Sequence, residues 1–371
     1  MGKQKINILY LILDLDLGGL QRIVNLLIDR IDKEYYTPTI CCLDRGGVFY
    51  EQLRSNEISK YILNRKPGLF DTQLFLKLYR LIKQNNIDII HSHNGCTLYA
   101  VLAGRLAKVK GIIHTDHGRL IPDRKGAILE DRLSSYLLNY FVGVSYELTD
   151  YLESVVKIKQ EKLITIINGV DTKLFQPQDA KNKLQLKKSL GYTEDDQIIG
   201  AVCRLDPIKN IEFLLNCIHH LSIENKNIKL LIVGDGPIKQ KLIQYSNELS
   251  ITKYVNFIGY RKDVESILPV IDIYVSTSLS EGTSMTILEA MSCGLPIVAS
   301  DVGGNKKLVD RTNGYLYPSN DKDEFINAVH QIFNNEQYKE KLGKESRKKI
   351  LDQFSIDQVV KQYEDLYQNL V

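Results

Sequence analysis

The sequence predicts an α/β protein of two doubly wound, Rossmann-like domains, each built on a parallel sheet. Three observations predict it. The 371 residues suffice for two domains of ordinary size. Short apolar runs alternate with helical stretches, the pattern of a parallel sheet covered on both faces. The alternation pauses once, over KLITIINGVDTKLFQPQDAKNKLQLKKSLGY, and then starts again.

Taken in order, KINILYLIL reads as a first strand. GGLQRIVNLLIDRI follows as an amphipathic helix, with Leu20, Ile23, Val24, Leu27, Ile28 and Ile31 at spacings of three and four. TPTICCLD, KYIL, IDIIHSH, GIIHTDHG and YFVGVS are further strands, with LFLKLYRLIKQN and TLYAVLAGRLAKV as helices between them. After the pause come QIIGAVCRL, IKLLIVGDGP, KYVNFIGY, DIYVSTS and PIVAS, a second sheet. The joint is expected around Asn168–Phe175, with residues 1–170 forming the first domain and 171–353 the second. FSIDQVVKQYEDLYQNLV, residues 354–371, is an amphipathic helix with no strand after it and is expected to pack back on the first domain.

Composition narrows the function. The chain is 44% hydrophobic and 25% charged, ordinary for a soluble enzyme. No apolar run reaches the ~20 residues that span a bilayer, and the opening run carries Asp14 and Asp16, unlike a signal peptide. The six cysteines form no CxxC pair, which suits a reduced cytosol and argues against metal binding. Residues 1–170 hold 23 Lys and Arg against 18 Asp and Glu, too weak a bias for nucleic acid but suited to brushing an anionic membrane.

The most informative stretch is SEGTSMTILEAMSCGLPIVASDVGG. Thr283 or Ser284 can cap a helix that starts at Met285, and Gly294 with Pro296 can end it. A helix start entered through such a loop presents free amides to an anion. Glu281 and Glu289, eight residues apart, repel phosphate and suit sugar hydroxyls. Arg204 and Lys209, in AVCRLDPIKN, can converge on one phosphate, or stand as two surface cations. Gly18 and Gly19 allow close approach at the first strand–helix turn, and a tight turn explains them equally well. The GxGxxG fingerprint of a nicotinamide cofactor is absent. Gly234 and Gly236 form a similar turn suited to a base or ribose, and Tyr260 and Arg261 stand in a third loop. Asp14 and Asp16 form a DxD that falls short of a metal shell. His91, His93, His114 and His117 end two strands, where open α/β sheets bind ligands, and His117 is best placed for a sugar hydroxyl. GRLIPDRKGAIL, with Arg119, Arg124 and Lys125 beside Leu120 and Ile121, reads as a membrane-facing loop or a solvated one.

These pieces in this order resemble family 4 of the glycosyltransferases, the retaining group of GT-B fold, over nearly the whole chain. The carriers are Glu281 to Glu289, RLDPIKN, INGVD, the first Gly-Gly turn, and His117-Gly118. The resemblance implies two domains facing across a cleft and transfer of a sugar from a nucleotide diphosphate to a glycan or lipid-linked acceptor. UDP-sugar is favoured, with GDP-sugar an alternative, and no cofactor is required. It further implies that Arg204 and Lys209 hold the diphosphate, Glu289 the ribose, and Glu281 and His117 the sugar. The amides of Thr283, Ser284 and Met285 face sugar and phosphate, and Gly18 and Gly19 bring the first domain's backbone to the site. Ser284 departs from the usual EGFGL, which puts donor identity in doubt. The implied setting is bacterial capsule, lipopolysaccharide or exopolysaccharide assembly in the cytoplasm, with peripheral membrane contact. A nucleotide-sugar epimerase and a non-catalytic nucleotide-sugar binder are the alternatives.

Overall fold

A computed structural model describes residues 5–16, 18–53, 58–66, 71–118 and 123–371. Arg119, Leu120 and Ile121 lie outside the described residues. The chain divides into two compact units, Met1–Gly169 with Ile356–Val371, and Val170–Ser355. The two chain crossings run side by side: the Val170 N–H donates to the Phe354 carbonyl at 2.9 Å, and Val170 bridges Ser355 in parallel.

Among the described residues the first unit holds seven parallel strands: β1 (Ile6–Asp14), β2 (Tyr36–Arg45), β3 (Ser59–Ile62), β4 (Ile89–His93), β5 (Gly111–Asp116), β6 (Tyr140–Gly143) and β7 (Leu163–Thr165). Their order is β3-β2-β1-β4-β5-β6-β7. The direction of winding reverses between β1 and β4, and such a reversal opens a crevice at the carboxyl ends of the strands. Every residue of β4 and β5 is buried, as continuous apolar runs require. The helix Gly19–Arg30 buries Ile23, Val24, Leu27 and Ile28, and Ile31 just beyond it is buried too, five of the six positions in the expected stripe. Asp71 caps the helix Thr72–Gln84 by accepting from the Leu74 amide at 3.0 Å.

The second unit holds six parallel strands among the described residues: β8 (Gln197–Val202), β9 (Ile228–Val233), β10 (Val255–Gly259), β11 (Ile273–Ser276), β12 (Ile297–Ser300) and β13 (Gly314–Tyr317). The order β10-β9-β8-β11-β12-β13 reverses between β8 and β11. Each unit has its own apolar core, one around Leu9, Ile90 and Phe141, the other around Ile199, Leu230 and Phe325. β7 and β13 are three and four residues long, too short to show a period in sequence.

The helix Ile356–Gln368 belongs to the first unit. It buries Val359, Val360, Tyr363, Leu366 and Tyr367. The Tyr36 hydroxyl donates to the Glu364 carbonyl at 3.2 Å, and the Asp32 amide donates to the Glu364 carboxylate at 2.8 Å.

Candidate active site

In the second unit the site forms at the β8/β11 reversal. The loop after β8 carries Arg204 to Asn210, and the loop after β11 carries Thr277 to Ser284. Two hydrogen bonds tie them: the Leu279 amide to the Ile208 carbonyl at 2.8 Å, and the Thr277 hydroxyl to the Lys209 carbonyl at 2.8 Å. This lacing brings Lys209 Nζ to 2.6 Å from Glu281 Oε2, with the two side chains 23% and 13% exposed. Both line a small pocket with Thr277, Ser278, Ser284 and Tyr274, its enclosed space about 10 Å³, roughly room for one water.

The helix Met285–Ser292 opens on this pocket. Ser284 is its N-cap, its hydroxyl accepting from the Ile287 amide at 3.4 Å. The first-turn amides of a helix lack partners within it, so this end is electropositive. Glu289 lies one turn in and is buried. Gly294, with φ at 75°, ends the helix in the left-handed region. Behind the Glu281 loop runs a second one, residues 301–304. Gly303 has φ at 45°, and a Cβ there would run into the Glu281 carbonyl, as one at Gly304 would into the Gly282 carbonyl. The Gly304 amide donates to the Glu281 carbonyl at 3.2 Å. The backbone of Glu281 is thus pinned from beneath by a glycine pair.

Arg204 does not join Lys209. It stands outside the pocket, 74% exposed, its Nε 3.9 Å from Asp206 Oδ2. Gly234 and Gly236 have a packing reason: Cβ atoms there would strike the carbonyls of Cys203 and Leu205. They let the turn after β9 lie on the Arg204 loop, where the Leu205 amide donates to the Asp235 carbonyl at 2.9 Å. Tyr260 is 64% exposed. Arg261 makes a two-pronged pair with Asp263 at 2.8 and 2.6 Å.

In the first unit Gly18 and Gly19 follow β1 at the start of the helix Gly19–Arg30, and a Cβ at Gly19 would meet nothing. Asp14 is engaged locally, accepting from the Asp16 amide at 3.2 Å and the Gln21 side chain at 3.1 Å, while Asp16 faces Arg45 at 3.4 Å.

The histidines divide into three buried ones and one partly exposed. His91 is wholly buried, its Nδ1 2.6 Å from the Tyr367 hydroxyl and its Nε2 2.8 Å from Thr115 Oγ1. Thr115 in turn lies 3.2 Å from the Tyr363 hydroxyl. His114 Nδ1 is 2.9 Å from Ser92 Oγ. His93, also buried, places Nδ1 3.0 Å from His117 Nε2. Burial pulls His91 and His117 down to about 3 and His93 well below its usual value, so all three are neutral at ordinary pH. His117 alone of the four is partly exposed. Asn94 straps its backbone, accepting from the His117 amide at 2.8 Å and donating to the Gly118 carbonyl at 3.0 Å. Asn94, Gly303, Gly304, Tyr363 and Tyr367 escape the sequence reading. The glycine pair in SDVGG, directly after a strand, is the one signal that could have flagged any of them.

Residues 17–174 match the model of Glycosyltransferase Family 4, and residues 182–349 match that of Glycosyl transferases group 1. The UDP-Gal:alpha-D-GlcNAc-diphosphoundecaprenol alpha-1,3-galactosyltransferase of Escherichia coli is 30% identical, over 96% of this chain and 95% of its own. The chain is a family 4 glycosyltransferase of GT-B fold. The glycosyltransferase also resembles the putative glycosyltransferase EpsD of Bacillus subtilis, at 27% identity over 82% of this chain and 83% of that one. In fold it matches Anabaena Alr3699/HepE, solved in complex with UDP, with a TM-score of 0.85, 20% identity, and coverage of 98% of this chain and 100% of that one. The glycosyltransferase carries no described helix long and apolar enough to cross a membrane.

Proposed function

We propose that this glycosyltransferase moves a hexose from a nucleotide diphosphate sugar, UDP-linked in preference to GDP-linked, to a saccharide acceptor carried on a lipid diphosphate, with retention of configuration. The observation that carries it is the pocket in which Lys209, paired with Glu281, stands beside the start of the helix Met285–Ser292. An ammonium has three N–H donors. Glu281 takes one, which leaves two for diphosphate oxygens. Lys209 and the helix-start amides then stabilise the charge that develops on the leaving diphosphate. Glu289 is the ribose partner, and His117 with the Gly18-Gly19 backbone meets the sugar. The donor base is supported by the UDP-galactose of the Escherichia coli relative and by UDP and UDP-glucose in the structures of Anabaena Alr3699/HepE. The lipid-linked acceptor is supported by the diphosphoundecaprenol of that same relative. Retention is supported by the family, and with Glu281 held by Lys209 the acceptor would attack on the face from which the diphosphate leaves. The setting is assembly of a bacterial surface polysaccharide on the cytoplasmic side of the membrane, without a resident metal. A local reason for the last point is that Asp14 already serves a backbone amide and Gln21.

The test is transfer of labelled sugar to a lipid-diphosphate saccharide, with the anomer of the product read by NMR. Lys209→Ala lowers turnover by roughly 10²–10³, the usual size for one such donor, and Arg204→Ala, whose side chain stands outside the pocket, lowers it by less. Near-normal turnover in both would remove the diphosphate assignment. Product formed from donor alone, as an epimer, would replace transfer by epimerisation.

A further inference from the structure

The pair His93 and His117 holds an unspent hydrogen-bond donor. Each ring is neutral, so each carries one N–H. Their contact joins His93 Nδ1 to His117 Nε2 at 3.0 Å. The two outer nitrogens, His93 Nε2 and His117 Nδ1, are buried and have no hydrogen-bond partner among the described residues. Two arrangements satisfy the contact. In one, His117 donates, and the orphan N–H is on His93 Nε2. In the other, His93 donates, and the orphan N–H is on His117 Nδ1.

These arrangements differ in cost. His93 is fully buried, with the His91 ring at 4.4 Å and the Tyr10 ring stacked at 6.5 Å. An N–H facing that wall forfeits its hydration with no return, whereas a bare lone pair there is tolerated better. His117 stands at the carboxyl end of β5 and is partly exposed, so its covered Nδ1 lies nearer the surface than His93 Nε2, and a bound group that displaces the cover can accept from it. The Asn94 strap fixes the backbone that aims its ring.

We propose that His93 is a positioning residue that sets the tautomer of His117, so that His117 offers its Nδ1–H to an acceptor oxygen of the bound saccharide. This rests on the sugar-transfer reading above for the identity of the acceptor. The tautomer itself does not. A neutral donor suits a hydroxyl or ring oxygen and leaves charge stabilisation to Lys209. In this state His117 cannot serve as a base through Nδ1, since that atom already holds the proton.

The experiment is long-range proton–nitrogen NMR on full-length protein labelled with [¹⁵N]histidine, at neutral pH and without ligand. The expected result is an Nδ1–H tautomer for both His93 and His117. His93→Leu converts His117 to a mixture of tautomers and lowers kcat/KM for the nucleotide sugar by roughly 2–10-fold, the size of one hydrogen bond. His93→Asn, whose amide N–H can stand near the Nδ1 position, restores both the tautomer and the rate. An Nε2–H tautomer of His117 in the unaltered protein would overturn the proposal, as would His93→Leu leaving that tautomer unchanged. If His93→Leu does not fold, the unaltered protein and His93→Asn decide the matter by the same spectrum. An Nδ1–H tautomer in a protein that turns over no nucleotide sugar would sink the transfer reading and uphold the pairing.

Discussion

Acid should loosen the first unit, and His91 gives the size of its share. Its ring packs against Tyr10 on β1, His93 on β4, and Tyr363 and Tyr367 on the C-terminal helix, with Thr115 on β5 at hydrogen-bond distance. Burial holds it near 3, against 6.5 when unfolded. The unfolded chain therefore binds this proton more tightly than the folded one. The contribution to stability is complete above pH 6.5 and is lost as the pH falls toward 3. At pH 5 the loss is about 2 kcal/mol for His91, from a window of roughly 1.5 pH units at 1.36 kcal/mol each. His117, also near 3, adds a similar amount. Hydrogen exchange read on peptides from β4 and β5 measures the opening free energy of this unit, and the chain's lack of tryptophan makes that probe preferable to fluorescence. Between pH 7.5 and 5 His91→Gln should lose about 2 kcal/mol less than the unaltered protein, since His93 and His117 contribute to both. An identical pH dependence in the two would refute the argument, because it would mean that His91 is protonated in the fold.

Three further outcomes follow from the geometry. Gly303→Ala forces a Cβ toward the Glu281 carbonyl at a left-handed φ and should cost about 1–3 kcal/mol; a melting temperature equal to that of the unaltered protein would show that the loop yields freely. Glu289→Gln should weaken nucleotide binding in calorimetry, and unchanged affinity would remove it from the donor site. Leu129 and Leu133, one turn apart and 53% and 57% exposed beside Arg124 and Lys125, should help hold the protein on anionic vesicles. The double change to serine should cut flotation at least ~10-fold at ~1.5 kcal/mol or more per leucine, and no flotation of either protein would end the membrane reading.

Much of the fold was legible because its signals are local. The apolar runs that became β4 and β5 are buried at every position and β1 at its five central ones, as a parallel sheet covered on both faces requires. Ser284 and Gly294 announced the helix between them through capping chemistry that acts over three or four residues. The site was legible where a loop must pass a backbone, and illegible where a side chain must choose a partner. Lys209 and Arg204 look alike in AVCRLDPIKN, yet Lys209 reaches a carboxylate 72 residues away while Arg204 stays beside its neighbour Asp206. Gly234 and Gly236 looked like ligand glycines and have neighbouring carbonyls to avoid. The Tyr367 contact to His91 spans 276 residues and leaves no trace in either segment.

The return of residues 356–371 to the first unit has a bearing on biosynthesis. A ribosome delivers the intervening 170–355 stretch earlier, so that half can settle while its neighbour still lacks the tyrosines that seal His91. The unit begun first is finished last. A nascent chain stalled before Tyr363 would leave a vacancy under β4 and β5, and a quality-control protease would find its target in the older half of the polypeptide.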